Sequence, residues 1–212
     1  MLKQIRTGGI SYIEPLAGSG GWYWGTDRTY GDLYEAHGLY KTGHRIDKSR
    51  LIFVRFPEGW VAEPVKAKAG QYFGRPAYDG GAPVILLVDF PAEEIRILRY
   101  DDAHGQVTPV AILPLSEVSD CYNLMLHGSP LMLTRQTGER FQIIWPERAD
   151  SSIHPAETFC FRDGERLFFS RWYEDPDYRE EVVVRQLPTG EITEQFGGSI
   201  NDMPNGEHWL LI

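Results

Sequence analysis

Cysteine is scarce in this chain: Cys121 and Cys160 are the only two in 212 residues. Two are too few for a disulfide framework, which leaves one bridge or, as the simpler reading, two unrelated free thiols. Basic residues are also in deficit, 21 Lys and Arg against 30 Asp and Glu, for a net charge of −9. Nucleic-acid binding needs a clustered basic face, and none is present. Long apolar runs are missing too. The longest aliphatic stretch is Val84-Ile85-Leu86-Leu87-Val88, far short of a membrane span. The opening Met1-Leu2-Lys3-Gln4-Ile5-Arg6 has no apolar core of a secretory signal, and no Asn-x-Ser/Thr sequon occurs. These absences predict a soluble, cytoplasmic monomer with no nucleic-acid or membrane partner.

Sustained helical periodicity is missing as well, and Pro91-Ala92-Glu93-Glu94 allows a turn at most. What is abundant is aromatic and turn-forming: 6 Trp, 11 Tyr, 22 Gly and 14 Pro. That mixture favours many short strands joined by tight turns.

One phrase, a turn followed by an apolar strand, recurs. It reads Asp79-Gly80-Gly81 before Val84-Ile85-Leu86, Asp163-Gly164 before Leu167-Phe168-Phe169, and Asn205-Gly206 before Trp209-Leu210-Leu211. The first two copies lie 84 residues apart and the last two 42 apart, so one more copy fits between. His127-Gly128 before Leu131-Met132-Leu133 is the candidate. Asp-Gly and Asn-Gly favour hairpins because both residues tolerate positive φ. A second phrase, an apolar residue, Arg, a spacer, Gly and a strand, occurs at Arg55 to Gly59, Arg99 to Gly105 and Arg185 to Gly190. It occurs again at Arg6 to Gly8.

Units near 42 residues, each a four-stranded meander, have the length of propeller blades. The whole chain, 1–212, reads as one all-β domain with blades at 14–66, 67–114, 115–149 and 150–197. A fifth joins 198–212 to 1–13, burying both apolar termini and closing the ring. The weak stretch is 18–48, rich in Gly and Tyr and poor in strand alternation. A β-sandwich or jelly roll is the alternative fold, because it also uses short strands and turns. The blade length, the Asp-Gly hairpins and the shared terminal blade resemble five-bladed β-propellers, a group that includes certain lectins and the furanose-cleaving glycoside hydrolases. No family-specific signature accompanies the resemblance, so it carries over no catalytic residue.

In such a ring the innermost strands line a central channel whose mouth takes ligands. Those strands fall near 21–27, 72–78, 121–126, 157–162 and 199–203. They carry Trp22, Trp24, Asp27, Tyr72, Arg75, Tyr122, Asn123, Glu157, Asn201 and Asp202. Aromatic faces with carboxylates and amides suit a small molecule or glycan, although Trp and Tyr serve equally as packing between blades. The resulting expectation is a non-catalytic module binding a small molecule, a glycan or a protein partner. The alternative is a glycoside hydrolase using paired carboxylates among Asp27, Glu157 and Asp202.

Other features read as structural. The six histidines form no metal pattern and fit surface or turn positions. Cys121 reads as a buried small hydrophobe. The 17–21 loop, Ala-Gly-Ser-Gly-Gly, lacks the Lys-Ser/Thr and the helix of a phosphate loop, so no cofactor is indicated.

Overall fold

The computed structural model describes residues 2–44, 46–175 and 177–212. Four antiparallel sheets follow one another along the chain. The first is β1 (Glu14–Pro15), β2 (Trp22–Thr26), β3 (Leu51–Arg55) and β4 (Trp60–Ala62). The second holds β5 (Gln71–Phe73), β6 (Ala77–Asp79), β7 (Ala82–Asp89), β8 (Glu94–Asp101) and β9 (Gln106–Pro114). Here β5 and β6 both pair with β7, as one inner strand interrupted at Gly74 to Pro76. The third is β10 (Leu124–His127), β11 (Met132–Thr137), β12 (Arg140–Trp145) and β13 (Ala149–Ser152). The fourth is β14 (Glu157–Asp163), β15 (Arg166–Tyr173), β16 (Arg179–Gln186) and β17 (Glu191–Gly197). A two-stranded hairpin, β18 (Ser199–Asp202) and β19 (His208–Leu211), ends the chain. This is a propeller-like ring of meanders, not a two-sheet sandwich.

Period-two alternation explains the stacking. Along β7, Val84, Leu86 and Val88 point into a cluster shared with Leu124, Leu126 and Leu133 of the third blade. The alternate residues Ile85 and Leu87 point into a cluster shared with Trp24, Leu51 and Phe53 of the first. A strand buried on both faces needs a continuous apolar run, which is why Val84 to Val88 is the longest in the chain. Each such side chain contributes roughly 1.5–3 kcal/mol of burial. Blades three and four meet the same way through Phe141, Ile143, Leu167 and Phe169.

The inner hairpins also hold neighbouring blades together. The Asp79 carboxylate accepts from Arg99 Nη2 at 2.8 Å and from the Ser129 backbone N at 3.1 Å, tying the second blade to the third blade's inner turn. Beside it, a Cβ on Gly128 would overlap the Tyr78 carbonyl. Here glycine is required by the close approach of two backbones. Gly128→Ala is expected to cost about 1–3 kcal/mol by prying these blades apart, read as a lower urea midpoint at unchanged slope.

The ring has four blades where five were expected. Residues 2–13 form no strand and do not pair with β19. Instead, left-handed glycines turn the segment at Gly8 (φ 66°) and Gly9 (φ 100°). It then packs Ile5, Ile10 and Ile13 on Ile52 and Val54, the open face of blade one. Arg50 Nη1 donates to the Gly8 carbonyl at 2.6 Å. The hairpin of β18 and β19 takes the remaining place. Gly198 N donates to Glu180 O of blade four at 3.1 Å, and Gly20 N of blade one donates to Pro204 O at 3.2 Å. The terminal side chains are not buried as expected: Leu2, Trp209, Leu211 and Ile212 are all more than half exposed. Scattered apolar side chains in solvent are ordinary on a folded surface, so burial of the ends was not forced.

Two local corrections belong to residues 18–48. The segment holds a helix, α1 (Leu33–Lys41), started by the Asp32 carboxylate accepting from Tyr34 N and Glu35 N. It buries only Leu33 and Ala36, too narrow a stripe to register as periodicity. The strand expected to be innermost in blade one, near 21–27, is second in its sheet, behind the two-residue β1. Among the described residues, no helix is long and apolar enough to cross a membrane.

Candidate functional site

The inner strands and their turns surround a cavity of about 290 Å³. Every blade contributes. The turn after β1 supplies Leu16 and Gly18, the β5–β6 break Pro76, β6 Tyr78, the β10–β11 hairpin His127 and Ser129, and β14 Phe159 through Arg162. The C-terminal hairpin completes the wall with Asp202, Asn205 and His208.

One wall is aromatic. The His208 imidazole stacks on Phe161 with centroids 3.7 Å apart, and Phe161 stacks on Phe168 at 4.3 Å. The His208 Nδ1 meets Asp202 Oδ1 at 2.7 Å, which fixes the ring's rotation. The opposing polar group is His127. Its Nε2 pairs with Thr134 Oγ1 at 2.8 Å, and its ring stands edge-on to Phe159 at 4.9 Å. Part of its surface opens into the cavity, which is itself walled by protein. Poor hydration therefore pushes its pKa down to about 4, against a weaker upward pull from Asp202. His127 is neutral at pH 7, and its Nδ1 has no hydrogen-bond partner among the described residues. Arg162 is pinned by donation from Nε to Gly164 O at 2.6 Å and by an ion pair with Glu147.

Cys160 also lines the cavity. Burial pushes its thiol up to about 11, only partly offset by a backbone hydrogen bond from Ser170. A thiol that stays protonated is a poor nucleophile. Both cysteines are free, and Cys121 is buried as expected. No group of three or more His, Cys, Asp or Glu among the described residues is placed to hold a metal ion.

Of the ten residues predicted for the channel, Asp202 lines this cavity. Trp24 and Arg75 meet instead at a second, smaller one. Trp22 is packed between Phe53 and Trp60. Tyr72 is fully buried, its hydroxyl accepting from Ile46 N at 3.2 Å. Asp27 accepts from Arg50 N at 2.7 Å. Tyr122 is exposed and leans on Tyr34, Asn123 is an exposed left-handed residue (φ 47°), and Asn201 is exposed opposite Trp209. Glu157 is sealed in an ion cluster with Arg171 and Arg185. The three candidate acids thus have three different sets of partners.

His127, Phe159, Phe161 and His208 were not singled out from the sequence. The signal existed: His127 and His208 flank the glycine turns of the first repeated phrase, and those turns are the inner hairpins. Compared with models of known protein families and with curated proteins, the chain matches none.

Proposed function

We propose that the protein is a non-catalytic binding module whose ligand is a small, sugar-like molecule seated in the central cavity. The observation that supports it most is the pairing, in one 290 Å³ space, of a flat aromatic stack with fixed polar groups. A pyranose or furanose offers a CH face to Phe161 and His208 and hydroxyls to His127, Arg162 and Asp202. The hydrolytic reading has less support. Retaining and inverting glycosidases need two carboxylates about 5–10 Å apart. Asp202 is the one acidic residue lining this cavity among the described residues.

A panel of monosaccharides and methyl glycosides, read by isothermal titration and thermal shift, tests this. At least one member is expected to bind, and Phe161→Ala to weaken it about 2- to 10-fold, the worth of one stacked ring. The exposed Trp172→Ala should leave it unchanged. If nothing in the panel binds, or if binding survives loss of both Phe161 and His208, the reading is wrong.

A further inference from the structure

A second cavity, of about 150 Å³, lies where the start of the chain, blade one and blade two meet. Three separate segments bring aromatic rings to it: Tyr12 before β1, Trp24 in β2, and Tyr30 in the turn after β2. Tyr12 and Tyr30 are exposed, 63% and 74%, whereas Trp24 is buried at 6%. The walls are fixed by close packing. A Cβ on Gly25 would lie 2.5 Å from the Tyr12 carbonyl oxygen, and one on Gly31 3.1 Å from Arg75 N.

Two opposite charges share this small space, Glu14 on β1 and Arg75 between β5 and β6. Neither side chain has an ion-pair or hydrogen-bond partner among the described residues, in a chain where most arginines are paired. A third polar group is also unspent. Thr26 lines the cavity at 7% exposure, and its hydroxyl is buried without a partner. Native structures leave few buried hydroxyls unmet, because each costs on the order of 1–3 kcal/mol.

The charges narrow the ligand class. A simple cation would gain the aromatic faces and Glu14 but would meet the Arg75 guanidinium within the same cavity. A simple anion would meet Glu14. A molecule carrying both charges a few bonds apart answers both side chains, and its cationic end gains from the rings. We propose that this cavity binds a small zwitterion, its ammonium group held by Tyr12, Trp24, Tyr30 and Glu14 and its carboxylate by Arg75. The volume suits a ligand of amino-acid or betaine size. This site is independent of the central cavity.

Titration calorimetry of the full chain with glycine betaine, against tetramethylammonium chloride and sodium acetate, tests the assignment. Betaine is expected to bind, with each single-charge compound at least tenfold weaker. Arg75→Ala and Glu14→Gln, both away from the buried core, are each expected to weaken betaine at least tenfold while the circular dichroism spectrum stays unchanged. Phe161→Ala should leave betaine binding intact, so failure at the central cavity does not count here. The proposal is overturned if betaine does not bind. It is equally overturned if tetramethylammonium binds as well as betaine with Arg75→Ala without effect.

Discussion

Glu157→Ala lowers the thermal unfolding midpoint by roughly 6–20 °C, the shift expected from a loss of about 3–5 kcal/mol in a domain of this size. The Glu157 side chain is completely buried. Arg185 donates from Nε to Oε2 at 3.0 Å and from Nη2 to Oε1 at 3.1 Å, and Arg171 binds Oε1 as well. Desolvation alone would raise the carboxyl's pKa, but the hydrogen bonds and charges of Arg185 and Arg171 outweigh it and the net shift is downward. Truncation strands two guanidinium groups, Arg171 with 12% and Arg185 with 9% of its side chain exposed. It does so beside a joint between blades, since the Glu157 carbonyl accepts from Gln136 Nε2 of blade three at 2.6 Å. A catalytic carboxylate would behave oppositely, its removal leaving stability unchanged or raised. A midpoint within 2 °C of the wild type would refute the structural role.

Acidification from pH 7 to pH 4 removes up to about 3 kcal/mol through His127. In the unfolded chain this histidine titrates at its ordinary 6.5; in the folded protein, poorly hydrated, it does so only at about 4. Between those values the unfolded state binds the extra proton, so stability falls as pH falls. The size follows from about 1.4 kcal/mol per pK unit. His37 is also lowered, by burial and then by Lys41, and acts in the same direction. Carboxylates held down by arginine act at lower pH. Glu63, brought to about 2 chiefly by hydrogen bonding from Arg50, loses its contribution below the ordinary 4.5. Urea unfolding at pH 7, 6, 5 and 4 in wild type and His127→Gln separates these groups. The two curves should converge toward pH 4.5, whereas parallel curves would show that His127 does not titrate in this window.

The propeller was legible because its signals are local. Asp79-Gly80, His127-Gly128, Asp163-Gly164 and Asn205-Gly206 each occupy an inner hairpin, and Arg55 to Gly59, Arg99 to Gly105 and Arg185 to Gly190 each span an outer one. These turns are why a ring of short meanders could be read from the chain, whereas its division into blades could not be fixed as closely: β13 (Ala149–Ser152) crosses the expected border at 149/150. The fifth blade failed because pairing of two chain ends is a long-range choice. A single isoleucine-rich segment can satisfy itself on blade one through Ile10 as readily as in a sheet. The site was less legible. Trp22 and Tyr72 looked like ligand platforms because their types fit sugars, yet in β2 and β5 they occupy the cores between blades. Glu157 sits on an inner strand as expected, but two arginines 14 and 28 residues later turn it inward. No local pattern announces such a meeting.

The ring is not equally strong all the way round. Among the described residues the buried clusters join blade one to two, two to three and three to four, and none joins four to one. That joint consists of the short hairpin, with Gly18 of blade one 3.4 Å from where a Gly206 Cβ would stand. Its outer strand is exposed at every residue. Spontaneous opening should therefore begin there, with amide protons of β18 and β19 exchanging with deuterium well before those of β7 or β16. Since the same hairpin carries Asp202 and His208, the frequency of that opening would set how fast a guest enters or leaves the central cavity.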